Sequence, residues 1–177
     1  MGTIVGVRSL DGVVLAADRR AVANGTMRSD DVQKLHEFDA AAVALEGAPG
    51  DLQAFARQLG SEIDRLETSQ RTAIRITALE RLVSRLAEET GVEALLSARD
   101  ADRIARLRSI DGTGGAYEEP VAAWGSGAQL ALGRLETLDA DVPLDEVELL
   151  LRETFEAIAE RDSTTGTSVD VCSLADQ

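Results

Sequence analysis

The chain has 177 residues, enough for a sizeable core, and its 44% hydrophobic content fits a globular protein rather than a disordered one. A formal charge of −14 argues against a nucleic-acid partner, whose phosphates it would repel. No apolar run reaches the ~18 residues of a membrane span, and no secretory leader pattern opens the chain. The lone Cys172 cannot form an internal disulfide and fits a reducing cytoplasm.

From the N-terminus, Thr3 to Arg8 is rich in β-branched residues and reads as a strand. Asp11-Gly12 supplies a tight turn, and Val13 to Ala17 is a return strand buried on both faces. Residues Arg19 to Arg28 read as a loop around Asn24-Gly25. Val32 to Phe38 and Ala41 to Leu45 form a second pair of short strands. Gly47-Ala48-Pro49-Gly50 breaks the pattern, and Asp51 is expected to cap a helix running to about Glu67. A polar link spans Ser69 to Thr72. A second amphipathic helix covers Ile76 to Glu89 and ends at Gly91.

Val92 to Arg99 and Ile104 to Ile110 read as strands. Asp111-Gly112-Thr113-Gly114-Gly115 lacks the lysine and the following helix of a phosphate loop and reads as a hairpin turn. Val121 to Trp124 is a short strand entering Gly125-Ser126-Gly127. Helices follow over Ala128 to Leu138 and over Asp141 to Arg161, and Ser168 to Ser173 closes the chain as a strand. Helix pairs alternating with hairpins predict an α+β fold. Two antiparallel sheets stack face to face, each covered by a helix pair, in one domain over residues 1–177.

The basic residues are unusual: Lys34 is the only lysine, so 17 of the 18 Lys and Arg are arginines. An acidic, lysine-poor composition is a habitat signature of proteins kept soluble in high salt. A sharper reading is that position 34 needs an amine for its chemistry. His36 reads as an ordinary, partly exposed strand residue, and Cys172 and Trp124 as packing. No metal constellation or cofactor motif is present.

The opening Thr3-Ile4-Val5-Gly6-Val7, the strand end Ala16-Ala17-Asp18-Arg19-Arg20, Lys34, Gly47-Ala48-Pro49-Gly50-Asp51 and Gly125-Ser126-Gly127 recur in one order and spacing. Arg161-Asp162-Ser163-Thr164-Thr165-Gly166 and Val169-Asp170-Val171 complete the set. In these motifs, over almost its whole length, the chain resembles the proteasome β-type subunits of the N-terminal-nucleophile hydrolases. The resemblance implies a four-layer αββα sandwich. It also implies threonine peptidase chemistry, in which the hydroxyl of an N-terminal threonine attacks and its α-amine takes the proton.

Lys34 matches the family's lysine, Asp18 the carboxylate that positions it, and Arg20 the basic neighbour. Ser126, Asp162 and Thr165 match the hydroxyl–carboxylate–hydroxyl group around the amine, with Thr165 where a serine is usual. Gly47 matches the oxyanion donor, and Leu45 and Pro49 the lining of the specificity pocket. Val22 replaces a polar residue on the substrate-binding strand. Each position also has a plain structural reading: Asp18 with Arg20 as an ion pair, Asp162 as a turn cap, Ser126 as part of a tight turn. The implied partners are copies of itself or α-type subunits in a ring, with a peptide substrate if the chain is active.

Two residues depart from the pattern. The nucleophile position falls on Gly2, which has no hydroxyl, and methionine removal would leave Gly2 as the mature end. Cleavage between Gly2 and Thr3 would instead expose Thr3. But one step along a strand shifts a group about 3.3 Å and turns it to the opposite face, away from Lys34. Glu46 stands where a small apolar residue is usual beside the oxyanion glycine, and its effect depends on which way it faces. The sequence therefore leaves two main readings, a threonine peptidase acting through Thr3 and an inactive structural ring subunit. A transferase or amidase on the same fold is a third.

Overall fold

The computed structural model describes residues 1–69 and 73–177. Strands β1 (Thr3–Arg8) and β2 (Gly12–Asp18) form the opening hairpin, with Ile4 opposite Ala17 and Val7 opposite Val14. β10 (Val121–Gly125) adds to β1, and β11 (Val169–Ala175) adds to β2, giving the antiparallel order β10-β1-β2-β11. A second antiparallel sheet runs β5 (Leu35–Phe38), β6 (Ala41–Glu46), β7 (Glu93–Arg99), β8 (Ala105–Ile110) and β9 (Ala116–Tyr117).

Helices α1 (Pro49–Ser69) and α2 (Ile76–Thr90) cover the second sheet, while α3 (Ala128–Leu135) and α4 (Leu144–Ala159) cover the first. The result is the expected αββα sandwich.

Three apolar layers hold it together, and strand alternation decides which residue joins which. Ile4, Val13, Leu15 and Ala17 meet Leu35, Ala42, Ala44, Leu95 and Leu107 between the sheets. Val5, Val7, Val14 and Ala16 face Leu135, Leu151 and Phe155 of the α3/α4 layer. Val43 and Leu45 face Leu52, Phe55 and Leu86 of the α1/α2 layer. On β1, then, even positions look between the sheets and odd positions look toward α3 and α4. On β6 the even positions look between the sheets.

Several local expectations shift. The loop expected over 19–28 contains a hairpin, β3 (Ala21–Ala23) with β4 (Thr26–Ser29). Asn24 and Gly25 both have positive φ, 53° and 72°, the conformation that an Asn-Gly pair adopts in a two-residue hairpin turn. The first helix begins at Pro49, so Asp51 lies in its first turn instead of capping it; the fixed φ of proline suits the first helical position. Ser69 ends that helix, and the rest of the link expected at 69–72 lies outside the described residues. Gly91 closes α2 in the left-handed region at φ 74°, its N–H donating to Ala87 O. His36 is half-buried, and burial pushes its pKa down. Cys172 is buried and its thiol is pushed up to about 12, first by desolvation and then by the charge of Glu37.

Candidate functional site

The site is built where β1 enters its sheet. By the alternation on β1, Gly2 faces between the sheets, toward Lys34 just before β5 and Glu46 at the end of β6. Lys34, Asp18 and Glu46 are 1%, 0% and 2% exposed. The Lys34 ammonium donates to Asp18 Oδ1 at 2.8 Å and to Glu46 Oε2 at 3.0 Å. The other oxygen of Glu46 accepts the Gly2 N–H at 3.0 Å.

Asp18 is saturated. Its Oδ1 also accepts Thr3 N–H at 2.9 Å, and Oδ2 accepts the N–H groups of Arg20 at 3.1 Å and Gly166 at 2.7 Å. A β-carbon built on Gly2 would fall inside contact distance of both Lys34 Nζ and Asp18 Oδ1. Position 2 therefore points straight at the lysine, and the lysine already fills the space a side chain there would need.

Thr3 takes the opposite face. Its side chain is fully buried, its hydroxyl oxygen accepts Gly127 N–H at 2.9 Å, and it lies 2.7 Å from Thr165 Oγ1. Thr165 in turn donates to Asp162 Oδ2 at 2.6 Å. Its proton being committed there, the Thr3 hydroxyl must be the donor to Thr165. A relay thus runs from Gly127 N–H through Thr3 and Thr165 to Asp162, using both capacities of the Thr3 hydroxyl.

Ser126 Oγ donates to Asp162 Oδ2 at 2.5 Å, and the Thr164 hydroxyl lies 2.6 Å from Ser126 Oγ and 2.7 Å from Asp162 Oδ1. Burial alone would raise the Asp162 pKa. The hydroxyls of Ser126, Thr165 and Thr164 and the Thr164 N–H outweigh it, and the value falls to about 2. Ser126 also holds the Gly2 carbonyl through its N–H at 2.8 Å.

The residues singled out from the sequence thus fall into two groups on opposite faces of β1. Asp18, Lys34 and Glu46 meet Gly2 between the sheets. Ser126, Asp162 and Thr165 meet Thr3 and the Gly2 carbonyl at the mouth of the α3/α4 layer. The resemblance put the second group around the α-amine; in the structure the Gly2 nitrogen is on Glu46 instead. Thr3, the conditional nucleophile, does not reach Lys34.

Arg20 sends its guanidinium to Asp30 at 2.6 Å and to the Ser163 carbonyl at 2.8 Å, pinning the 162–166 turn to the end of β2. The Asp30 hydrogen bond is the main reason its pKa is raised. Leu45 is buried against the helix layer, Gly47 and Pro49 lie half-buried at the β6–α1 junction, and the Val22 carbonyl accepts the Met1 ammonium at 3.1 Å.

Two contributions are not visible in the sequence reading. Thr164 lies inside the closing motif without a role implied by the resemblance, and the direction of Glu46 is open until the sheets are packed. The alternation Ala42, Ala44, Glu46 on one strand is the available signal for the latter. Among the described residues no cluster of three His, Cys, Asp or Glu side chains is placed to hold a metal ion.

A family model described as "Proteasome subunit" matches residues 1–174. The chain belongs to the proteasome β-type family. Its relatives include several proteins named proteasome subunit beta. That of Halorubrum lacusprofundi is 34% identical over 98% of this chain and 73% of its own length. That of Halorhabdus utahensis is 33% identical over 99% and 77%, and that of Haloquadratum walsbyi 31% over 96% and 72%. In this chain a glycine, Gly2, faces the lysine and a glutamate, Glu46, holds it.

Proposed function

We propose that this chain is a proteasome β-type subunit without peptidase activity, a single domain that fills a place in a cytoplasmic ring of its own copies or with α-type subunits. One observation carries the reading. The position that faces Lys34 from the N-terminal strand is Gly2, which has no hydroxyl, while the Thr3 hydroxyl is consumed on the other face. A threonine nucleophile needs its hydroxyl, its own amine and the lysine on one side of the strand. Cleavage before Thr3 would free an amine next to Asp18 but leave the hydroxyl about one strand step from the lysine. Misplacement on the order of 1 Å already costs on the order of 10²-fold in rate. The acidic, arginine-biased composition, together with the names of the relatives' source organisms, supports a salt-rich habitat.

The test is intact mass of the purified protein with and without an epoxyketone or β-lactone inhibitor, beside turnover of fluorogenic peptides. The expected result is no adduct and no turnover. An adduct mapped to Thr3 would overturn the proposal. Gel filtration and mass photometry in high salt test the ring, and a strictly monomeric chain, alone and with α-type subunits, would remove that part.

A further inference from the structure

We propose that the hollow between the start of α2, the β7–β8 turn and the end of β11 binds a phosphate-class oxyanion, free or carried on a small metabolite. It lies at the opposite end of β6 and β7 from Glu46, outside the peptidase-like site.

Positive charge gathers here in a strongly acidic chain. Residues 70–110 hold eight arginines against six carboxylates, whereas residues 111–177 hold three against fifteen. Three of the eight line one hollow of about 300 Å³: Arg75 at the N-cap position of α2, Arg99 at the end of β7 and Arg103 in the turn that follows. Among the described residues none of the three forms an ion pair, while Arg106 and Arg108 on the next strand do. Arg99 gives its Nε–H to the Ala175 carbonyl at 2.9 Å, a neutral acceptor. Like charges gathered on one wall repel, and an oxyanion between them replaces that repulsion with attraction.

The negative groups at the rim do not cancel this charge. Asp100 spends Oδ2 on Arg106 at 2.8 Å and Oδ1 on the N–H groups of Asp102 and Ile104. Gln177, counted as a terminus, brings one carboxylate to the same rim, and it pairs with none of the three arginines. Three guanidinium groups still exceed that single charge.

The backbone holds one of the three in place at a cost. Arg103 has φ 63°, in the left-handed region, where a β-carbon costs about 1 kcal/mol or more. Glycine would suit this turn better, yet arginine stands there. Its N–H donates to the Asp100 carbonyl at 3.2 Å and its carbonyl accepts the Gln177 N–H at 3.1 Å, so the base of the side chain is fixed. The walls set the ligand class. Guanidinium forks pair bidentately with carboxylates and phosphates, and three forks suit the several oxygens of a phosphate better than the two of a carboxylate. The volume is at the small end of ligand sites, room for phosphate or a short ester. Ile74 and Ala101 give the carbon chain of such an ester an apolar surface.

The test uses the full chain in KCl buffer at fixed ionic strength, so that phosphate replaces chloride and screening stays constant. Inorganic phosphate and glycerol phosphate are titrated by calorimetry into the parent, Arg75→Gln and Arg103→Gly. Arg103→Gly removes a guanidinium and relieves the left-handed backbone, so it is expected to fold with an unchanged or higher Tm. The expected result is saturable binding at one site per chain in the parent, weakened about tenfold or more in each variant. The tighter-binding probe tells a free phosphate from an organic one. Binding heat is the readout because phosphate, as an excluded solute, raises the Tm of all three chains alike. No saturable heat from either probe in the parent, or equal affinity in the parent and both variants, overturns the proposal.

Discussion

If Gly2 and Glu46 are what silence this subunit, restoring a nucleophile requires changing both. Gly2→Thr puts a hydroxyl on the face that meets Lys34. It leaves Lys34 clamped between Asp18 at 2.8 Å and Glu46 at 3.0 Å, with Nζ in the space the new side chain needs. Glu46 also precedes Gly47, the residue whose N–H would hold an oxyanion. For a separation on the order of 5 Å, a carboxylate beside a developing negative charge costs about 3 kcal/mol at an effective dielectric of ~20. That corresponds to a factor of about 10²–10³ in rate. Adding Glu46→Ala removes the repulsion and frees Lys34 from one of its two anchors. The double variant Gly2→Thr/Glu46→Ala is therefore expected to turn over fluorogenic peptides about 10²–10³ times faster than Gly2→Thr alone. It should also label with an epoxyketone at residue 2, while Gly2→Thr labels slowly or not at all. Intact mass establishes that residue 2 is N-terminal in both variants, and circular dichroism that both are folded. Equal rates in the two variants would refute the role given to Glu46. A folded, correctly processed double variant that neither labels nor turns over would refute the placement of the nucleophile position at residue 2.

The second group yields two stability tests. Thr3→Val removes the hydroxyl that accepts Gly127 N–H and donates to Thr165, leaving a buried donor unpaired. A loss of about 1–3 kcal/mol in denaturant melts is expected, with Thr3→Ser losing less; an unchanged midpoint for Thr3→Val would remove the relay. Asp162 is held at about 2, below its ordinary 3.8, so its hydroxyl contacts stabilise the fold above the unfolded value and that stability is lost as pH falls from about 4 toward 2. Melts across that window should fall less steeply for Asp162→Asn than for the parent chain, and identical slopes would contradict the assignment.

Much of the fold is legible in the sequence because its signals are local. The apolar run Val13 to Ala17 has the length and bounds of a strand buried on both sides, and Leu79, Leu82, Val83 and Leu86 have the 3.6-residue spacing of an amphipathic helix. The departures are also local. Asn24-Gly25 is a hairpin signal between strands too short to show a pattern, and Pro49 reads as a breaker where it is a first helical residue. Among the site residues, Asp18, Lys34, Ser126, Asp162 and Thr165 are identifiable through motifs that resemble a family. Their grouping into two sets is not, because it depends on which face of β1 each set meets.

The sequence by itself determined that position 2 lacks a hydroxyl and that Thr3, one step on, must face the other way, because side chains on a strand alternate with period two. It also determined that Lys34 is the only lysine, at the position where the resemblance implies the family's lysine. Whether Glu46 turns into the site or away from it was decided only by the tertiary structure, which packs the even positions of β6 against those of β1 between two sheets. That packing brings residues 2, 18, 34 and 46 into one buried cluster, where two carboxylates share one lysine. Burial turns an acidic residue that would be innocuous on the surface into the group that holds the lysine and the Gly2 N–H.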